Sequence, residues 1–353
     1  MQLKRDAIGF LLHVKVSVTL PLKWTERPMC LRGRRLVTSF MLLALAFFAS
    51  TPAVADEYPS RPITFIVSFA PGGVADTAAR LFAGSLQRRL GQTVVVENRP
   101  GAGGDVAAGV VARSAPDGYT LLFTTSAFAV NLSLQKSKQF TSDDFTALAF
   151  PASSPEVLAV NAQSSVHTLA DLLKLAQTKQ LNFGTAGVGT SPHIMGEYFF
   201  KFVAKVPAVH IPFQGGAPAT TALLGNQIDV LTAIIGGGVA AQIGAGKLRG
   251  VALAAKSRMS LLPDIPTFAE SGYNDMDFVD WVGVFSPRNI DPAVARRFTA
   301  ALEEVLKEPE VAAKLKAMGF DPIAGSSAHA QADFEADLAK WTRVVKALDL
   351  KLN

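Results

Sequence analysis

The groups best placed to do chemistry in this chain are main-chain amides, presented by glycine-rich corners. Residues 63–80 read ITFIVSFAPGGVADTAAR: an apolar, β-branched strand runs into Ala70-Pro71-Gly72-Gly73, and a helical pattern opens directly behind it. Strand, glycine-rich turn and helix N-terminus together make an anion site. The first helical turn carries N–H groups with no acceptor inside the helix, and glycine lets a ligand approach the main chain closely. A second corner, Glu97-Asn98-Arg99-Pro100-Gly101-Ala102-Gly103-Gly104, follows a short strand at 93–96. A third, Ala186-Gly187-Val188-Gly189-Thr190-Ser191-Pro192-His193, follows a strand at 182–185 and repeats the first design.

No catalytic constellation accompanies these corners. Gly244-Ala245-Gly246-Lys247 lacks the spacing and the Ser or Thr of a phosphate-binding loop. Gly101-Ala102-Gly103-Gly104 and Gly187-Val188-Gly189 lack the properly spaced third glycine of a dinucleotide fingerprint. The sequence has no Gly-x-Ser-x-Gly elbow and no His-Glu-x-x-His, and one of its five histidines, His13, precedes the expected mature start. Capture of an anion is therefore the expectation, with no metal and no cofactor.

Several side chains stand where they could contribute. Asp76 sits in the first turn behind the first corner, where a carboxylate favours the helix dipole and would repel an anionic ligand. His193 follows Pro192 at a helix start, and reads as a packed or capping residue as well as a ligand contact. Asp229 is either a pocket acid, selecting a ligand with an amino or hydroxyl donor, or a strand-end cap. Residues 99–104 fit glycine-rich packing or a hinge-side lip as well as they fit ligand contact. Trp281 reads as core or hinge packing. Ser126, Thr185 and Thr190 draw interest only from their positions.

The elements that must hold these groups alternate strand and helix almost throughout, which argues for α/β layers with largely parallel sheets. Ala78, Phe82, Leu86 and Leu90 recur at i+4 and mark a helix ending near Gly91. Strands follow at 119–125 and 157–160. Thr168-Leu169-Ala170-Asp171 is a capping box opening a helix with Leu172, Leu173 and Ala176 inward. A strand at 209–212 leads into Gln214-Gly215-Gly216-Ala217-Pro218 and another helix, and strands at 228–232 and 249–253 flank a helix at 239–245. The tail reads as mainly helical, with Asp291 capping a helix that has Pro292 at its first position, Gly319 closing the next, and Ser327 capping the last. Two strand–glycine–helix units far apart in sequence suggest two lobes facing a shared cleft.

At 353 residues and 49% hydrophobic, the chain is long enough for two domains. Its formal charge of +5 hints at nucleic acid, but the excess is local. Of the 34 basic and 29 acidic residues, eight and two fall within the first 55, so the remainder carries −1. That opening segment has the anatomy of an export signal. Arg32, Arg34 and Arg35 form a positive region, residues 36–49 an apolar run too short to span a bilayer comfortably, and Ala53-Val54-Ala55 a cleavage site. The mature chain is expected to begin at Asp56; an uncleaved anchor is the alternative. Met29 is a candidate true start, and Arg34-Arg35 a weak hint of twin-arginine export. The single cysteine, Cys30, lies in the segment removed, which leaves no thiol, disulfide or cysteine metal site. Periplasmic location follows.

The chain also resembles a known family, the Bug or TctC family of periplasmic solute-binding components of tripartite tricarboxylate transporters. The blocks that carry the resemblance begin with Tyr58-Pro59-Ser60-Arg61-Pro62-Ile63, Phe69-Ala70-Pro71-Gly72-Gly73-Val74-Ala75-Asp76, and the run 91–104 (GQTVVVENRPGAGG). Pro116-Asp117-Gly118-Tyr119-Thr120-Leu121-Leu122, His210-Ile211-Pro212-Phe213-Gln214-Gly215, Gly246-Lys247-Leu248-Arg249 and Pro263-Asp264-Ile265-Pro266-Thr267 complete it, so that it covers essentially all of residues 56–353.

The resemblance implies an α/β, two-lobed type II periplasmic binding protein, a Venus flytrap with its ligand cleft between lobes. Residues 56–156 would form the first part of lobe 1, 157–280 lobe 2, and 281–353 the rest of lobe 1. It implies capture of a small di-, tri- or aromatic carboxylate by a monomer, and delivery to membrane permease subunits. A sensor feeding a signalling receptor is the alternative, and a periplasmic enzyme a distant one. Main-chain groups of Phe69, Ala70, Gly72 and Gly73 would grip one carboxylate, with Ser126, Ala186, Gly187 and Thr190 adding contacts and Asp229 near the pocket. Asn131-Leu132-Ser133-Leu134, residues 136–141 and the glycine-rich stretch 232–238 depart from the family pattern. They bear on the distal wall of the pocket more than on the fold.

Overall fold

The computed structural model describes residues 58–134, 139–274 and 276–347. The chain divides into two units, Met1–Ala55 and Asp56–Asn353. The first lies outside the described residues, and with it the export signal, its cleavage site and Cys30; Lys136, Ser137 and Lys138 lie outside them as well.

Ten strands form the frame: β1 (Ile63–Val67), β2 (Val94–Asn98), β3 (Thr120–Thr125), β4 (Phe145–Asn161), β5 (Leu181–Thr185), β6 (Ala208–Pro212), β7 (Val230–Ile234), β8 (Leu248–Ala254), β9 (Val279–Pro287) and β10 (Asp321–Pro322). The helices are α1 (Val74–Leu90), α2 (Asp105–Ala112), α3 (Ala127–Leu134), α4 (Leu169–Ala176), α5 (Ser191–Glu197), α6 (Gly216–Leu224), α7 (Gly238–Gly244), α8 (Pro292–Leu306), α9 (Pro309–Ala317) and α10 (Ala330–Ala347). Among the described residues no helix is long and apolar enough to cross a membrane.

The strands run in the order β2-β1-β3-β9-β4-β7-β5-β6, with β8 and β10 also paired to β4. β1 lies parallel between β2 and β3, and β5 lies parallel between β6 and β7. β4 joins the two groups. Its first part runs antiparallel to β9 and β10, while residues 156–161 run antiparallel to β7 and β8. β9 therefore occupies the place between β3 and β4, although it lies far beyond both in the chain.

Alternation along the strands sends side chains to opposite faces. On β1, Ile63, Phe65 and Val67 join a core with Phe82, Phe123 and Phe298, while Ile66 joins a second core with Phe128, Phe285 and Trp341. On the last part of β4, Leu158 and Val160 meet Phe183 and Phe199, and Val157 and Ala159 meet Leu223 and Leu253. Both faces of the central strands are covered, which is why they read as continuous apolar runs.

Local signals behave as their chemistry dictates. Thr168 and Asp171 form the expected capping box, with Leu172 and Ala176 buried. Asp291 caps α8, accepting from the Ala293 N–H at 2.6 Å. Two expectations change. The tail is not mainly helical at its start, because β9 is a nine-residue strand. Ser327 does not cap the last helix; its hydroxyl donates to Glu303 Oε1 at 2.9 Å, and α10 begins at Ala330.

Candidate functional site

The first corner hands β1 to α1 with no side-chain cap. Gly73 takes the N-cap position in an extended conformation. The first helical bond runs from the Thr77 N–H to the Gly73 carbonyl at 2.9 Å. The N–H groups of Val74, Ala75 and Asp76 thus precede the helical ladder, at the positive end of a 17-residue helix. The corner's own N–H groups are engaged. Ala70 donates to the Gln214 carbonyl at 3.4 Å, Gly73 to the Ala70 carbonyl at 3.4 Å, and Gly72 to Asp76 Oδ2 at 2.9 Å. The next N–H groups along the chain, those of Val74 and Ala75, precede the helical ladder and stand beside this corner.

Asp76 is buried behind the corner. Burial opposes its ionisation, but hydrogen bonds from Arg80 at 3.0 Å, the Gly72 N–H and the Asn98 amide at 2.9 Å outweigh that and hold the carboxyl below its ordinary range. Its charge is spent on Arg80, so it does not cancel the helix end it stands beside.

The opposite corner is braced in the same way. Thr190 caps α5, accepting from the His193 N–H while its hydroxyl donates to the Gly187 carbonyl at 2.8 Å. His193 Nδ1 accepts from the Gly189 N–H at 3.3 Å, and its ring stacks on His210 at 4.2 Å. His210 Nε2 meets Thr185 Oγ1 at 2.6 Å. Burial, with Lys201 nearby, pulls His193 down to about 4; burial, His193 and Lys201 pull His210 down to about 3. Both rings are neutral at neutral pH and offer no cation to a ligand.

The starts of α6 and α7, more than a hundred residues further along the chain, close on the first corner. A Cβ on Gly215 would lie 3.2 Å from the Ala70 nitrogen, and one on Gly238 3.5 Å from the Gly72 carbonyl. Gly189, at φ +77°, leaves no space either: a Cβ there would lie 2.1 Å from Asn131 Oδ1. Asn131 in turn donates to the Ala102 carbonyl at 3.1 Å, so this one amide is wedged between the second corner and the third.

Two cavities remain, both bounded by Phe69 and Ala186. The inner one, about 220 Å³, reaches from Gly72, Gly73, Val74 and Ala75 to Thr190, then to α6 and α7. The outer one, about 380 Å³, lies between residues 101–103 and residues 186–188, with Asn131 and Phe213. A wider groove of about 1070 Å³ lies elsewhere, against α4 and β8. Its two arginines are occupied, Arg249 with the Val166 and Ala162 carbonyls and Arg258 with Glu270 and the Pro263 carbonyl.

Phe69, Gly72, Gly73, Ala186 and Thr190 thus line the inner cavity, and Gly187 the outer. Ala70 spends its N–H on the contact between corners, and His193 stands behind Gly189. Ser126 turns away, its buried hydroxyl donating to Asp280, while its neighbour Thr125 lines the cavity. Asp229 lines neither cavity. It accepts from the Asn182 N–H at 2.8 Å and pairs with Lys179, as a strand-end cap does. Sequence reasoning passed over Thr125, Thr220, Thr221 and Gln242. The strand–glycine–helix pattern at 212–218 and 234–240 was the available signal for the last three.

A second cluster, beside the site, was not anticipated. Glu156 on β4 and Asp280 on β9 are both fully enclosed. Glu156 accepts from the Ser191 hydroxyl and Asp280 from the Ser126 hydroxyl, and the two carboxyls lie near enough to influence each other's charge, the second oxygen of each meeting no donor. Burial, then the neighbouring Asp280, pushes Glu156 well up; burial, with Asp337 adding, pushes Asp280 up to about 6. The pair holds a proton at pH values where an exposed carboxyl has none. Among the described residues no cluster of three His, Cys, Asp or Glu could hold a metal ion.

Comparison with known proteins gives consistent matches. Residues 78–350 match the tripartite tricarboxylate transporter family receptor, TctC. The chain is 32% identical to Protein BugT of Bordetella pertussis over 326 residues, 88% of this chain and 98% of that one. Among solved structures it is similar to the periplasmic binding protein BugD, at 29% identity and a TM-score of 0.79 over 83% of this chain and 99% of that one. It is equally similar to an R. palustris protein solved with adipate, at 28% identity and a TM-score of 0.78 over 84% and 99%.

Proposed function

The chain belongs to the tripartite tricarboxylate transporter receptor family, and from that premise we propose that it is an exported, monomeric binding protein which captures a small carboxylate between two lobes and delivers it to permease subunits without turning it over. One lobe comprises residues 56–156 and 281–353, the other 157–280. The observation that carries the reading is a single cavity lined by both the 69–75 corner and Ala186 and Thr190 of the 186–193 corner, with the amino end of α1 at one wall. The carboxylate ligand in a relative of similar fold supports it.

Capture works by closure. In the open form the first turn of α1 receives the carboxylate, with Val74 and Ala75 donating. Closing brings Ala186, Thr190 and the start of α6 over it and excludes water. Each charge-assisted hydrogen bond contributes roughly 1.5–3 kcal/mol. Micromolar affinity requires about 8 kcal/mol net of ordering costs, so several such bonds and the buried ligand body are needed together.

The test is a thermal-shift panel of mono-, di-, tri- and aromatic carboxylates on the purified mature chain, with each ligand quantified by chromatography after overnight incubation. At least one carboxylate raises the melting temperature and is recovered unchanged. Consumption of the ligand, or no shift with any carboxylate, would sink the reading. Co-purification with membrane permease subunits in the presence of the ligand tests the delivery step.

A further inference from the structure

The chemistry of the inner cavity narrows the ligand further, on the premise that the site captures a carboxylate. None of the described residues lining it carries a charge. Its polar side chains are four threonines and Gln242, and most of their hydroxyl protons are already committed. Thr190 donates to the Gly187 carbonyl at 2.8 Å, Thr220 to the Gly216 carbonyl at 2.8 Å, and Thr221 to the Ala217 carbonyl at 3.1 Å. What these three side chains turn toward a ligand is lone pairs.

Gln242 completes the pattern. It stands one helical turn beyond Gly238, whose main chain abuts the Gly72 carbonyl. Its Oε1 is sealed from solvent and meets no donor in the protein. A buried acceptor without a donor costs roughly 1–3 kcal/mol. The cavity wall therefore offers donors from the first turn of α1 and acceptors from Thr190, Thr220, Thr221 and Gln242.

A second carboxylate fits this arrangement badly. It would find no cation in the lining to pair with and would face threonine and amide lone pairs. A hydroxyl fits well, because it can donate to Oε1 and also accept if the amide is turned the other way. The volume of about 220 Å³ equals the liquid share of about seven water molecules, the size of a five-carbon acid or a single ring. We propose that the ligand is a monocarboxylate whose compact apolar body ends in a neutral hydroxyl, and that Gln242 reads that end.

The experiment is calorimetric titration of the mature chain with two matched sets, pentanoate, 5-hydroxypentanoate and glutarate, and benzoate, 4-hydroxybenzoate and terephthalate, with adipate alongside. In the set that fits, the hydroxy acid binds about 5-fold tighter than the plain acid, and the diacid at least about 30-fold weaker than the hydroxy acid. Gln242→Leu abolishes the advantage of the hydroxyl and keeps the plain acid, while Gln242→Arg shifts preference toward the diacid. Gln242 is only partly buried, and a circular dichroism melt of each variant confirms the fold. A diacid binding tightest to the unaltered protein, or adipate binding when none of the six does, overturns this inference and leaves carboxylate capture standing. A hydroxyl advantage that is missing, or that survives in Gln242→Leu, overturns the role of Gln242. No binding by any of the seven while another carboxylate of the thermal-shift panel binds also overturns this inference alone; no binding by the whole panel overturns capture itself.

Discussion

Replacing Asp280 by Asn removes one of two carboxyls that the fold buries together, and the effect on stability has a sign set by pH. In the folded protein Asp280 titrates at about 6, against 3.8 when unconstrained, because burial disfavours its charge. A carboxyl raised in this way contributes its stability fully below its unfolded pKa and loses it as pH rises through the folded value. A rise of about two units corresponds to about 3 kcal/mol, lost between roughly pH 4 and pH 6. An amide at 280 does not titrate, still accepts from the Ser126 hydroxyl and can donate to Glu156, so this loss disappears. It also removes the charge that contributes, after burial, to raising Glu156. Asp337 and Lys340 are the other titratable groups felt by the pair, and both remain. The assay is urea denaturation of both proteins at pH 4, 5, 6 and 7. The stability of Asp280→Asn relative to the unaltered chain should rise by about 3 kcal/mol across that range. Taking the difference cancels the opposite trend of the exposed carboxylates Asp171, Glu270 and Glu310, which are lowered by their partners. A difference that stays flat within about 0.5 kcal/mol refutes the shared-proton account.

Two further outcomes follow from the packing. Gly189→Ala puts a methyl group against Asn131 at a φ of +77°, and should weaken ligand binding by about 5- to 30-fold through the 1–2 kcal/mol cost of that conformation and the contact. Adding Asn131→Ala should recover part of the loss, and calorimetry that finds no recovery would place the whole cost in the backbone. Phe128→Ala should cost about 3–5 kcal/mol in urea denaturation, because the ring stacks on Phe334 at 5.6 Å and meets Phe145 and Phe285 edge-on at 5.0 and 5.1 Å. A loss under about 1 kcal/mol would mean that this core collapses around the gap.

The parallel strands were legible because most are short, largely apolar runs that lead into glycine-rich turns with a helix behind them. The two strands that knit the groups together were harder. β4 runs for 17 residues through Pro151 and Pro155, with register shifts against β9 near Ala147, Ala149 and Ala152, so its apolar run at 147–150 is cut off by proline and only the last part, at 157–160, reads as a strand. β9 carries Asp280 and Trp281 at its start; Trp281 reads as core or hinge packing, but the partners of both, Ser126, Glu156 and Asp337, are brought to them by distant segments. The same limit applies to the site. The corners could be read from glycine spacing and their approach to one another guessed, but which N–H groups the protein uses for itself depends on Gln214 and Asp76, whose partners are fixed by folding. Thr220, Thr221 and Gln242 lie on helix faces that sequence alone does not aim.

β9 has a consequence for how the chain is made. β3 and β4 follow one another in sequence, yet the strand that fills the space between them is synthesised more than a hundred residues later. Until residues 279–287 arrive, two buried strand edges lack a partner, and the core around Phe128 lacks Phe285 and Phe334. The emerging chain therefore cannot complete its first layer early. Those edges stay unpaired through most of its synthesis, a liability for aggregation. A chain ending at residue 278 should remain protease-sensitive throughout, and addition of a separate 279–347 fragment should restore protection if that late strand is the closing step.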